Sequence, residues 1–265
     1  MDIREKTAKY YDLWTLPFDD VPFYINRIPS IKSSILELGC GTGRVLTRLV
    51  NHCAFIHGID ISPAMIDICR KKNLKLNNDH AKVAIETGDI TDFSLGRKFD
   101  LIIAPYRVFQ NIETNDQIDG FFQCIRNHLA FNGSCILNVF QPWPVERIRE
   151  SWGGDKEIFC WEAPFDGGYV TCHERKQHFD DQKLILYPET IYRFYAKDKL
   201  FETTTQKICM RLYYPENFEK IIQEKGFSVI ERWGGYEGEP YCKGNELIIR
   251  FKDGVQPTNA LDPQS

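Results

Sequence analysis

No uninterrupted apolar run in the 265-residue sequence approaches the roughly 18 residues that cross a bilayer as a helix. The opening Met1-Asp2-Ile3-Arg4-Glu5-Lys6 has none of the apolar core of a secretion signal. A membrane partner is therefore not expected, and the cytoplasm is the expected compartment. Positive charge is not in excess either: 33 lysines and arginines face 37 acids, a net charge of −4. With no overall field to gather a polyanion, nucleic acid is not an expected partner. The nine cysteines (Cys40, Cys53, Cys69, Cys124, Cys135, Cys160, Cys172, Cys209, Cys242) are odd in number and scattered, and none has Cys-x-x-Cys spacing. That argues against a disulfide framework and against a zinc site, so no metal is expected and the thiols read as reduced, small core residues.

What is present is an ordinary globular composition, 43% hydrophobic and 26% charged, in a chain long enough for one large domain or a domain carrying an insertion. Between Ser33 and Val139, short β-rich runs alternate with helix-patterned stretches, the mark of βαβ units and a parallel sheet. Five strands are expected, at Ser34–Leu38, Phe55–Ile59, Lys82–Glu86, Phe99–Ala104 and Ser134–Phe140. Ser62-Pro63 places an N-cap before a proline at the first helical position, leading into a face of Met65, Ile66 and Cys69. Thr114 is expected to cap the next helix, whose Ile118, Phe121, Phe122, Ile125 and Leu129 recur at core spacing before Asn132-Gly133 turns the chain into strand five.

Past Pro142-Trp143-Pro144 the pattern changes. Turn signals at Asp166-Gly167-Gly168, Asp180-Asp181-Gln182 and Lys197-Asp198-Lys199 separate β-prone runs with no helix between them, which predicts about four antiparallel strands in an insertion over residues 146–212. That insertion holds 11 lysines and arginines against 12 acids, so it carries no basic stripe for a polynucleotide. Pro215 to Gly226 reads as a helix with a glycine stop, and Phe227–Trp233 with Glu246–Phe251 as a closing antiparallel pair. The tail beyond Asp253 is expected to fray.

The most informative segment is Ile35-Leu36-Glu37-Leu38-Gly39-Cys40-Gly41-Thr42-Gly43-Arg44, a buried strand running into alternating glycines and then a helix starting near Arg44. Its G-x-G-x-G spacing is not the G-x-G-x-x-G of a nicotinamide or flavin fold, and no Gly-Lys-Ser/Thr follows as a phosphate loop requires. Glu37, just ahead of the glycines, suits a ligand with an ammonium and repels a pyrophosphate. Asp60 ends the second strand, where a carboxylate can accept from both hydroxyls of a ribose, and Asp89 after the third can reach an adenine amino group. Taken together these features describe S-adenosylmethionine better than any other common cofactor, with S-adenosylhomocysteine as its product.

Glu37 to Gly43, Gly58-Ile59-Asp60-Ile61-Ser62, Gly88-Asp89-Ile90 and Phe99-Asp100-Leu101-Ile102-Ile103-Ala104-Pro105 match, in order, the motifs of the class I S-adenosylmethionine-dependent methyltransferases. The chain resembles that family over about residues 31 to 140 and the terminal hairpin. Pro105-Tyr106-Arg107-Val108-Phe109-Gln110-Asn111-Ile112 and Tyr10-Tyr11-Asp12 resemble a bacterial small-molecule subgroup, and the β-rich insertion after strand five is similar to that of glycine and amino-sugar N-methyltransferases. The resemblance implies an α/β fold: a Rossmann-like, seven-stranded, mostly parallel sheet with an antiparallel last strand, plus a small antiparallel β insertion. It implies an N-terminal helical cover over 1–30, a cofactor domain over 31–145 and 213–252, a substrate lid over 146–212 and a flexible tail over 253–265.

By the same resemblance, Gly39, Cys40, Gly41, Thr42 and Gly43 with Glu37 line the methionyl moiety, and Asp60 takes the ribose. Ile61, Gly88, Asp89 and Ile90 surround the adenine, Met65 packs nearby, and Tyr11 and Pro105 close the cofactor site. Tyr106, Arg107, Gln110, His178 and Tyr214 are candidates to contact the acceptor, and Tyr11 and His173 to assist catalysis. The expected partner is a small-molecule methyl acceptor, methylated on N or O, and the expected state is a monomer or homodimer.

Plainer roles stay open for several of these residues. Asp89 sits among turn formers and suits an Asx-turn, Tyr10 and Tyr11 can simply anchor the N-terminal helix, and Arg107 and Gln110 can be structural. His173 and His178, five residues apart on a strand, fall on opposite faces and so make a poor metal pair. Two other functions also stay open: a methyltransferase fold that holds its cofactor structurally for non-methyl chemistry such as cyclisation, and a non-catalytic, cofactor-binding regulatory module.

Overall fold

The computed structural model describes residues 2, 4–14, 17–74 and 82–254. A 3-10 helix (Ala8–Leu13) and α1 (Val21–Ile25) precede β1 (Ser34–Leu38), α2 (Leu46–Leu49), β2 (Phe55–Asp60), α3 (Pro63–Leu74), β3 (Lys82–Thr87) and β4 (Phe99–Ala104). A short 3-10 turn (Val108–Asn111), α4 (Asn115–His128), β5 (Leu129–Phe140) and α5 (Val145–Ser151) lead into β6 (Glu157–Phe165), β7 (Gly168–Asp180), β8 (Ile185–Ala196), β9 (Lys199–Lys207) and β10 (Met210–Arg211). The chain closes with α6 (Pro215–Glu224), β11 (Phe227–Trp233) and β12 (Glu246–Asp253).

One seven-stranded sheet has the order β11-β12-β5-β4-β1-β2-β3. β1 pairs in parallel with both β2 and β4, β4 with β5, and β12 runs antiparallel between β5 and β11. The strand order reverses at β1, which opens a crevice beyond the carboxyl ends of β1 and β4, the usual ligand position of an open α/β sheet. Because β12 is antiparallel, its amino end, at Glu246, lies at that same edge, opposite Phe140.

Both sheet faces are buried. Leu36, Leu38, Ile102, Leu137 and Ile249 pack under α4 and α6 with the rings of Phe109, Phe121, Phe122 and Phe218. Ile35, Ile56, Ile103 and Ile248 pack on the other side with α1, α2 and α3. α4 starts at a full capping box, with the Gln117 amide donating to Thr114 Oγ1 at 3.2 Å and the Thr114 amide donating to Gln117 Oε1 at 3.1 Å. No described helix is long and apolar enough to cross a membrane.

Three local expectations are corrected. The helix after the glycines starts at Leu46 and lasts one turn before a 3-10 turn, because Thr47 Oγ1 donates back to the Gly43 carbonyl at 2.7 Å and valines flank it. Strand five starts at Leu129 instead of Ser134: Phe99 pairs with Leu129 and Leu101 with Ser134, so Asn132-Gly133 lies in a bulge within the strand. Residues 145–151 form a helix too short, with only Ile148 buried, to leave a periodic signal.

The second sheet joins β6, β7, β8 and β10 in the order β10-β8-β7-β6, with β9 also on β8. Its hairpins turn at Asp166-Gly167 and Lys197-Asp198, all four residues at positive φ. One face carries Val170, Cys172 and Tyr192 against Tyr10 of the N-terminal 3-10 helix. On the other, Arg175 and Arg193 share Glu157, and Arg175 also meets Glu189. Asp253 belongs to β12 and pairs with Arg126 at 2.9 Å, while residues 255–265, most of the expected tail, lie outside the described residues.

Candidate active site

β1 delivers the chain to Gly39, Gly41 and Gly43, with φ of +69°, +54° and +82°. The amides of Gly39 and Cys40 both donate to the Ile59 carbonyl, at 2.8 and 3.0 Å, and pin the turn to β2. A side chain at Gly39 would strike Val108 at 2.6 Å, whereas at Gly41 it would meet nothing within 4 Å. Gly41 is therefore required by its left-handed backbone, and its outer face is open to a ligand.

Asp60 stands beside that face. Its Oδ2 accepts from the Gly41 amide and its Oδ1 from the Ser62 amide, both at 2.9 Å, which fixes the carboxylate at the crevice mouth with further acceptor capacity on each oxygen. Burial raises its pKa against the pull of these two amides. Glu37 lies deeper, 2% exposed, and its Oε2 has no hydrogen-bond partner. Burial pushes its pKa well above the usual range, with Cys69 adding to the effect. Arg44 pulls the Glu37 pKa down in part, but its guanidinium is held by the buried Asp20 and makes no hydrogen bond to Glu37 among the described residues. An orphaned buried carboxyl is costly, and a ligand ammonium is the group that fits it.

Thr42 Oγ1 donates to Asp12 at 2.7 Å, and Asp12 also pairs with Lys72 at 2.8 Å, fastening the N-terminal helix to the turn. Cys40 is buried, its thiol pushed well up by a hydrogen bond with Cys69 and by burial, so it is a packing group. Past Asp60, Ile61 is left 61% exposed while Met65 is buried beneath. The Gly88 amide donates to the Asp60 carbonyl at 3.0 Å, which brings Gly88, Asp89 and half-buried Ile90 to the same edge. Asp89 Oδ1 accepts from the Thr91 amide and hydroxyl at 2.8 and 2.7 Å, so its local turn role is realised in the structure. Pro105 is buried at the end of β4.

Tyr10 and Tyr11 diverge. Tyr10 packs into the insertion, 5.0 Å from the Phe165 ring and 5.3 Å from Tyr192. The Tyr11 hydroxyl makes no hydrogen bond among the described residues; burial raises its pKa, Asp60 and Asp12 add to this, and Arg4 and Arg44 oppose it. It also lies within electrostatic reach of Tyr106 and Tyr192. Tyr106 is half-buried, its pKa pushed up to about 12 by burial, with Arg44 5.6 Å from its ring.

The other candidates stand elsewhere or are already engaged. Arg107 is tied to Glu246. Gln110 is fully buried, accepting from the Phe140 amide at 2.9 Å and donating to the Arg211 carbonyl at 2.8 Å, which spends both of its polar ends on structure. His173 follows Cys172 on β7, so it points away from Tyr10 and the glycine turn, towards Arg193 and Phe159. His178 is exposed and stacks on Tyr187. The irregularity between Lys176 and His178 turns it to the same face as His173, the two lying opposite Tyr187 and Ile191, and not to the opposite face that plain alternation predicts. The Tyr214 hydroxyl donates to the Trp143 carbonyl at 3.0 Å, outside the group around Tyr11. Sequence reasoning missed Asn138 and Glu246, whose only signal is a polar residue inside an apolar strand, and missed Asp12 as the tie to Thr42.

A methyltransferase-domain family model matches residues 35–133, which span β1 to the β5 bulge. The dTDP-3-amino-3,6-dideoxy-alpha-D-glucopyranose N,N-dimethyltransferase of Streptomyces fradiae is 24% identical over 225 residues, 85% of this chain and 82% of that protein. The cypemycin N-terminal methyltransferase of a Streptomyces species is 28% identical over 82% of this chain and 81% of its own length. The structure of the CcbJ methyltransferase of Streptomyces caelestis superimposes with a TM-score of 0.76 at 18% identity, over 96% of this chain and 99% of that one. Together with the glycine turn, the acids at the ends of β1 and β2 and the antiparallel β12, these matches show a methyltransferase domain over residues 35–133 and, over nearly the whole chain, the fold of S-adenosylmethionine-dependent methyltransferases.

Proposed function

We propose that the protein methylates a nitrogen of a small-molecule amine, or a hydroxyl oxygen in its place, in the cytoplasm as a monomer or homodimer, with no nucleic acid or membrane partner. The observation that carries this reading is the N-terminal 3-10 helix bridging the cofactor turn and the insertion, with Asp12 accepting from Thr42 Oγ1 at 2.7 Å and Tyr10 packed on Val170 and Tyr192, so that Tyr11 stands between the two. A crevice edge roofed by this helix and the insertion suits a compact acceptor. The relatives named above, which act on an amino sugar and on a peptide amino terminus, support an amine, and the balanced charge of the insertion supports a partner other than nucleic acid.

Bound S-adenosylmethionine supplies a methyl group on a sulfonium, already activated for in-line displacement. The protein's task is then alignment. The Asp60 carboxylate holds the ribose hydroxyls, Glu37 pairs with the ammonium, and the open face of Gly41 lets the backbone come close. Ile61 covers the adenine beside Gly88, Asp89 and Ile90. Orientation of this kind contributes on the order of 7 to 11 kcal/mol to lowering a barrier. The N-terminal helix, tied to Thr42 by Asp12 and to the insertion by Tyr10, excludes water from the crevice. Tyr11, with its raised pKa, stays a neutral phenol and orients the acceptor by hydrogen bonding. An amine can lose its proton to solvent before it is aligned, so no dedicated base is required.

The test is incubation of the purified protein with methyl-labelled S-adenosylmethionine and a panel of amines, amino sugars, phenols and carboxylates, following S-adenosylhomocysteine and labelled product by mass spectrometry. Labelled amine with matching S-adenosylhomocysteine is the expected result. Cofactor binding with no labelled product from any acceptor would turn the reading towards non-methyl chemistry or regulation.

A further inference from the structure

Tyr106 and Arg107 leave β4 with φ of +53° and +67°, two consecutive non-glycine residues in the left-handed region. Such a pair persists only where its surroundings over-determine it. Here a closed ring of three side chains does so. The Arg107 amide donates to Asn138 Oδ1 at 2.7 Å, Asn138 Nδ2 donates to Glu246 Oε2, and the Arg107 guanidinium grips both oxygens of Glu246 through Nε and Nη2. The members come from the β4 exit, β5 and β12; Glu246 is 139 residues from Arg107 in sequence. Asn138 is fully buried and the Glu246 side chain is 5% exposed.

A buried ion pair of this kind is weak evidence for stability, since apolar residues of similar size commonly serve a fold as well or better. What an apolar replacement would not do is fix the backbone of residue 107. The segment so fixed borders the site on both sides. Val108 packs on Gly39, and the Tyr106 ring faces Arg44 and Arg107 at 5.6 and 5.7 Å, beside Tyr11.

We propose that Glu246, acting with Asn138 through Arg107, is a positioning residue of the transfer site: it locks the left-handed turn after β4 and so aims Tyr106 at the place where methyl donor and acceptor meet. This rests on the transfer site proposed above. The antiparallel β12 is what makes it possible, because only a reversed strand brings its first residue to the carboxyl edge of its neighbours.

The test uses the full chain labelled with 3-fluorotyrosine, the Tyr106 resonance being the one lost in Tyr106→Phe, with S-adenosylhomocysteine as the probe. In Glu246→Ala the Tyr106 fluorine signal should move and lose its wild-type response to the probe, while the Kd for S-adenosylhomocysteine stays within about threefold. Glu246→Gln, which keeps an oxygen towards the guanidinium, should restore most of the signal. With an amine from the panel, Glu246→Ala should lower kcat at least tenfold and leave the acceptor KM nearly unchanged, and adding Asn138→Ala should cost little more. If Glu246→Ala melts early, Glu246→Gln and Asn138→Ala carry the comparison. An unmoved Tyr106 signal in Glu246→Ala, or kcat equal to wild type, overturns the proposal. Failure of the wild type to bind S-adenosylhomocysteine would instead count against the transfer site, and the ligand-free fluorine spectra would still show whether Glu246 places Tyr106.

Discussion

The two sheets place their functional side chains by opposite rules. β1, β2 and β4 are buried along nearly their whole length, and the polar groups of the site collect at or beside their carboxyl ends: Glu37 one residue before the end of β1, Asp60 as the last residue of β2 and Tyr106 two residues past β4. The β6–β9 sheet is half exposed, and its residues act by face, with Val170, Cys172 and Tyr192 turned towards Tyr10 and the Arg175–Glu157–Arg193 network turned away. A strand end is a position in sequence. A face is a parity, and a single bulge reverses it; this sheet has irregularities at 159/161, 176/178 and 194/195.

The sharpest way to separate the two sheets is to cut the link between them. Tyr10→Ala leaves a cavity among Phe165, Val170 and Tyr192 and should cost about 3 to 5 kcal/mol, read by urea unfolding, with faster amide exchange confined to the insertion and the first helix. Uniform loosening of both sheets would break the comparison. Asp60→Ala should lower affinity for S-adenosylhomocysteine about 100-fold, near 3 kcal/mol, by calorimetry, whereas Glu157→Ala on the outer face of the insertion should leave it unchanged.

Glu37→Gln should lower that affinity about tenfold at pH 8. In the free protein, burial keeps the Glu37 proton on to a higher pH than an ordinary carboxyl, while a bound ammonium favours the ionised form. Wild-type affinity should therefore climb with pH until the raised pKa is passed, with proton release seen across buffers of different ionisation enthalpy. The glutamine variant should show a flat profile, and a raised melting temperature near neutral pH, because a carboxyl whose folded pKa is raised destabilises the fold above its unfolded pKa.

The smallest effect belongs to the outer network. The hydrogen bond from Arg193, then that from Arg175, holds Glu157 down to about 2 from 4.5. Its contribution is present above pH 4.5 and fades as pH falls towards 2. Because the pair is partly exposed, the change should be modest: faster exchange in β6 and β7 at pH 3 than at pH 6 after correction for intrinsic rates, little change in β1 and β4, and none of this dependence in Glu157→Gln.

The cofactor side was legible in the sequence because its determinants are local. β1 and β4 begin and end where their apolar runs do, Ser62-Pro63 opens α3, and Thr114 caps α4. The glycine turn and the acids after it announce themselves by spacing. The acceptor side was much less so. Nothing near Gln110 signals that both of its ends are spent on Phe140 and Arg211, and nothing near Arg107 signals Glu246. His173 looked available as a base until β7 set its parity against Cys172. Groups that meet across more than a hundred residues leave only the faint trace of a polar letter in an apolar strand.

Calorimetric titration of S-adenosylhomocysteine into the wild-type protein, stripped of any carried-over ligand, beside Asp60→Ala and Glu37→Gln, tests the central claim most directly. The account predicts one site per chain in the wild type, with affinity falling in the order wild type, Glu37→Gln, Asp60→Ala. Absence of binding to the stripped wild type, or equal affinity in all three proteins, would contradict it.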